Sequence, residues 1–93
     1  SDMQAAANII LKSRSGAAVT EPEQLRFLRE VASGKGFSEE AMRHGWKNIR
    51  KSFDKRLQNL LSGANDDTLK LYNDRTGASY SRGRNFEKEY GGQ

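Results

Sequence analysis

Six cations crowd one stretch of this chain. Arg43, Lys47, Arg50, Lys51, Lys55 and Arg56 lie between Ala41 and Ser62, against the single acid Asp54. Six cations against one acid give this stretch +5, so the rest of the chain, at a formal total of +4, sums to −1. At about 100° per residue on a helix, Arg43, Lys47, Arg50 and Lys51 share one sector and Lys55 borders it. Such a face can track phosphates, each contact releasing counterions. It can equally meet an acidic protein surface. A face that is merely solvated usually mixes charge signs, so an anionic partner is expected here.

The other chemically capable side chains stand alone. His44 has no carboxylate close in sequence and reads as a surface residue, not a general base. Trp46 falls among apolar neighbours and reads as core rather than as a base-stacking platform. The adjacent pairs Glu39-Glu40 and Asp66-Asp67 suit the first turns of helices, where the dipole favours acids. Gly34-Lys35-Gly36 lacks the preceding strand and the spacing of a phosphate-binding loop. Near the end, Arg82 and Arg84 mix with Tyr80 and Phe86, but Glu87 and Glu89 balance them. The closing Gly91-Gly92-Gln93 matches the tripeptide of peptide-chain release factors, without any surrounding pattern. The chain has no cysteine and one histidine, which excludes disulfides, thiolate chemistry and any centre built on two histidines. The expectation is a protein with no catalytic residues, no metal ligands, no cofactor and no small-molecule substrate.

These side chains must be positioned by helices. Leu, Phe, Ile and Val together supply only 17 of 93 residues, so the core is thin. No apolar run is long enough to span a membrane, and no charged-then-apolar leader opens the sequence. Ser1-Asp2-Met3 reads as a start or cloning remnant and is set aside. Residues 4–15 suit a short helix with Ile9 and Ile10 buried, stopped by Gly16. Thr20 with Glu23 forms a capping box, with Pro22 in the first turn, and predicts a helix over 21–33 carrying Leu25, Leu28 and Val31. Ser38 starts the longest helix, over 38–62, with Phe37 and Met42 as its hydrophobic staple. Met42, Trp46, Ile49, Phe53, Leu57, Leu60 and Leu61 then recur at helical steps, which makes an apolar stripe. Gly45 inside it serves close packing or a slight bend. Asn65, Asp66 or Asp67 caps a short helix near 66–73. No segment alternates with period two, so no strand is expected.

The fold class is therefore all-α: a small three- to four-helix unit with one long amphipathic basic helix and a disordered C-terminal tail. Residues 4–75 form the helical domain and 76–93 the tail. Trp46, Ile49, Phe53 and Leu57 are expected to pack on Leu25, Leu28 and Val31. The shorter helices look too weakly apolar to cover the far end of the stripe. Leu57, Leu60 and Leu61 are accordingly expected to form a homo-oligomer interface. A DNA-reading helix-turn-helix is not expected, because the second helix is about twice the length such a motif uses.

The stretch Leu11–Glu23, LKSRSGAAVTEPE, carries a further signal. It resembles a segment of internal, DNA-ejection or tape-measure-type virion proteins of tailed bacteriophages. Arg14, Ser15, Gly16, Ala17, Ala18, Thr20 and Glu23 match that pattern. The resemblance implies a component of the phage particle, found in the virion and in the host cytoplasm during assembly. Its partners would be other virion proteins or itself. The resulting expectation is a non-enzymatic virion or assembly module that docks to protein through its long helix. The alternative is a helical domain that binds DNA through the basic face of residues 43–56.

Overall fold

The computed structural model describes residues 3–13 and 19–81. It is all-helical, with four helices and no strand among the described residues: α1 (Met3–Lys12), α2 (Pro22–Ala32), α3 (Glu39–Leu61) and α4 (Asp66–Thr76). Five of the seven matching residues of the phage-like segment, Arg14 to Ala18, lie outside the described residues, as do Arg82, Arg84, Phe86 and Gly91-Gly92-Gln93.

The starts of α3 and α4 follow from local chemistry. Ser38 accepts a hydrogen bond from the Ala41 N–H at 3.1 Å, and Asn65 accepts one from the Thr68 N–H at 2.8 Å. The α2 start departs from expectation. Its N-cap is Glu21, not Thr20, and no side chain caps it. Pro22 explains the shift. A residue before proline is held in extended backbone, and Glu21 has φ −61° and ψ 121°. A box capped by Thr20 would need Glu21 to be helical.

The α2 C-terminus closes on a Schellman turn. Lys35 N–H donates to Glu30 O and Gly34 N–H to Val31 O, both at 3.0 Å. Gly34 takes the left-handed φ of 89° that this turn needs. From α1, the Gln4 side-chain amide donates to Ala32 O at 3.2 Å and satisfies one more end carbonyl.

The core threads all four helices. Met3, Ala6, Ala7 and Ile10 recur at helical spacing along α1 and are all buried. Met3, set aside on sequence grounds, is thus a core residue, and Ile9 is only half-buried beside it. Leu28 and Val31 of α2 are buried, with Leu25 half-buried. Trp46 is fully enclosed at the centre. Its ring meets Phe27 edge-on at 5.6 Å and Tyr72 edge-on at 4.9 Å. Phe37 extends this aromatic row at one end and Tyr80 at the other. Gly45 permits the first of these contacts, since a Cβ there would run into the Phe27 ring.

Helix α3 and the chain after it depart from expectation in three ways. The single uninterrupted helix expected over 38–62 breaks at Phe53, whose φ of −137° and ψ of 33° are not helical. Phe53 itself is half-buried, packed against the core rather than filling its centre as expected. Neither proline nor glycine stands at the break. At Gly45, where close packing or a slight bend was expected, the helix is regular and the close packing is found. Lastly, α4 runs to Thr76 and ends on left-handed Gly77, φ 80°. The chain then folds back and buries Tyr80, so residues 76–80 belong to the helical unit rather than to a tail.

Candidate docking surface

Helix α3 carries all six cations of the expected basic face, but the structure divides them. Lys47, Lys51, Lys55 and Arg56 are exposed, and none forms an ion pair among the described residues. Arg43 and Arg50 are committed to the neighbouring helix. Arg43 Nη2 donates to Asp74 O at 3.3 Å, and half-buried Arg50 donates through Nη1 to Thr76 O at 3.2 Å. Both cations therefore sit at the C-terminal end of α4, where the unpaired carbonyls and the helix dipole favour positive charge.

Beside these arginines lies an arrangement that no sequence pattern announced. Asn73 and the backbone of Tyr80 bond reciprocally: Asn73 Nδ2 donates to Tyr80 O at 2.9 Å, and Tyr80 N–H donates to Asn73 Oδ1 at 3.0 Å. The Tyr80 ring stacks on Tyr72 at 5.7 Å and 15°. Its hydroxyl donates to Asp54 Oδ1 at 2.6 Å, one residue past the break in α3. Gly77 was a readable stop signal for a helix. Tyr80, in a stretch of Gly, Ala and Ser, was not readable as an anchor.

The electrostatics follow from burial. Burial pushes the Tyr72 hydroxyl up to about 12, against the opposing pull of the Arg50 guanidinium. Burial, reinforced by donation to Asp54, raises Tyr80 further still. Across the molecule, Glu30 is held below the ordinary carboxylate range, chiefly by its hydrogen bond from Arg26. The ion pairs seen among the described residues both use Glu30: Arg26 at 3.3 Å and Lys35 at 3.5 Å. They leave the α3 cations without acid partners.

The remaining expected sites are resolved by burial. Leu57 and Leu61 are enclosed within the chain, at 1% and 0% exposure, and only Leu60 reaches partway to solvent. The patch foreseen as an oligomer interface is therefore largely covered by the chain itself. Buried Ala6 and Ala7 join Met3 and Ile10 in the same core, so α1 contributes more to it than its content of large apolar residues suggested. Trp46 is core, and His44 is exposed. Among the described residues there is no group of His, Cys, Asp or Glu able to hold a metal ion. No described helix is long and apolar enough to cross a membrane. Comparison with known protein families, with curated proteins and with solved structures finds no match.

Proposed function

We propose that this chain is a non-enzymatic docking module of a tailed-phage particle, acting through the outer, cationic face of α3 against an acidic protein surface. The observation that carries the docking reading is the set Lys47, Lys51, Lys55 and Arg56, exposed and unpaired among the described residues. The phage setting rests on the resemblance of residues 11–23. The apolar stripe of α3 is consumed internally, so docking falls to the polar face.

The same cations support a second reading, binding to DNA. The division of the six favours protein. Salt-sensitive duplex binders typically make about 6–10 phosphate contacts. Here four cations are free, and they straddle the break at Phe53. The test is an anisotropy titration with a labelled oligoglutamate peptide and a short DNA duplex, each at low and physiological salt. Binding of the peptide, abolished by Lys47→Glu with Lys51→Glu, supports docking. Tighter binding to the duplex, with a log–log salt slope of about −3 to −4 from four contacts, transfers the assignment to DNA. Mass spectrometry of purified phage particles tests the setting, and absence of the chain from them overturns it.

A further inference from the structure

The acid at the edge of the cationic face is held in an unusual way. Asp54 is the only acid among the cations between Ala41 and Ser62. Arg50 and Lys51 precede it by four and three residues along α3, on the other side of the break at Phe53. Yet Asp54 forms no ion pair among the described residues. Its Oδ1 instead accepts the Tyr80 hydroxyl at 2.6 Å. Tyr80 is fixed for that task at three points: its backbone by Asn73, its ring by Tyr72, and its approach along α3 by the Arg50 bond to Thr76.

We propose that Tyr80 is a positioning residue for the docking surface, anchoring the Asp54 carboxylate toward the 77–80 segment so that Lys51 remains free for an anionic partner. This rests on the docking reading above and goes beyond it by assigning a residue outside α3 that governs the charge α3 presents. Without the hydroxyl, Asp54 turns to Lys51, and one of the four free cations is neutralised.

Tyr80→Phe deletes the hydroxyl and keeps both the ring and the backbone pairing to Asn73. Its affinity for the oligoglutamate peptide is expected to fall about two- to fivefold, the scale of one exposed ion pair. Adding Asp54→Asn to Tyr80→Phe is expected to restore parental affinity, whereas Asp54→Asn alone changes it by less than about twofold. That rescue separates a charge effect from a loosened fold. Parental binding by Tyr80→Phe, or a loss that Asp54→Asn fails to rescue, overturns the proposal. NMR of the lysine ammonium groups reads the same event without any partner: a contact between Lys51 and Asp54 should appear in Tyr80→Phe and be absent in the parent. If the parent ignores the peptide, the docking reading falls by itself. The Lys51 contact then decides alone, and its failure to appear in Tyr80→Phe overturns the role of Tyr80.

Discussion

Gly45 shows how one contact can outweigh helix propensity. Alanine in place of glycine inside a helix gains about 1 kcal/mol. Here the added methyl would strike the Phe27 ring, which itself packs on Trp46. Overpacking of this kind costs about 1–3 kcal/mol. Gly45→Ala is therefore expected to melt below the parent by a few degrees, and a thermal scan showing a higher Tm would refute the close approach. Tyr72 offers a second measurement at this scale. Its ordinary value is 10.0 and burial lifts it to about 12 in the fold. The folded chain thus holds this proton more tightly than the unfolded one. The associated stability is complete below pH 10 and drains away as pH rises toward about 12. Absorbance of tyrosinate should accordingly show Tyr72 ionising together with alkaline unfolding. Ionisation of all three tyrosines near pH 10 with helicity intact would contradict its burial.

At the level of elements, the caps separate what was readable from what was not. Ser38 and Asn65 act within three residues of themselves, so their types alone marked the starts of α3 and α4. Thr20 looked equally qualified, but Pro22 holds Glu21 extended and moves the start of α2 past it. Asn65→Ala should then cost about 1 kcal/mol in a denaturant melt. Thr20→Ala should cost a few tenths at most, and equal losses would restore the capping box. The apolar stripe was legible because helical period is a local property. The break at Phe53 and the 77–80 fold-back were not. The bonds that define that segment join residues up to 26 apart, Arg50 with Thr76 and Asp54 with Tyr80. No local periodicity encodes such contacts. The basic face was legible in composition, yet its division was not, since Arg43 and Arg50 became caps only once α4 lay beside them.

For the molecule as a whole, the decisive matter is how a thin core is closed. The leucines at the end of α3 close into one core to which α1 adds Met3, Ala6, Ala7 and Ile10. Ala6 and Ala7 are buried in the same core as Leu57 and Leu61, and α1 packs on α2, α3 and α4. Leu57→Glu places a charge in that interior and should abolish cooperative melting at every concentration. Leu60→Glu, at a half-buried edge, should fold and melt within about 1 kcal/mol of the parent. Sedimentation of this second variant beside the parent tests self-association directly. Two species at 10.4 kDa would exclude an oligomer built on the Leu60 edge.

The contact between α1 and α4 has a kinetic consequence. These are the first and last helices, and they pack together across nearly the whole described length of the chain. Closing so large a loop costs entropy before any burial compensates for it. The α2–α3 pair, joined by a short turn, can form early, but it leaves Trp46 waiting for Tyr72 of α4. Neither end can then detach without opening the centre. Backbone amides of α1 and α4 should exchange with solvent in one cooperative event, so that this small unit behaves as a single foldon.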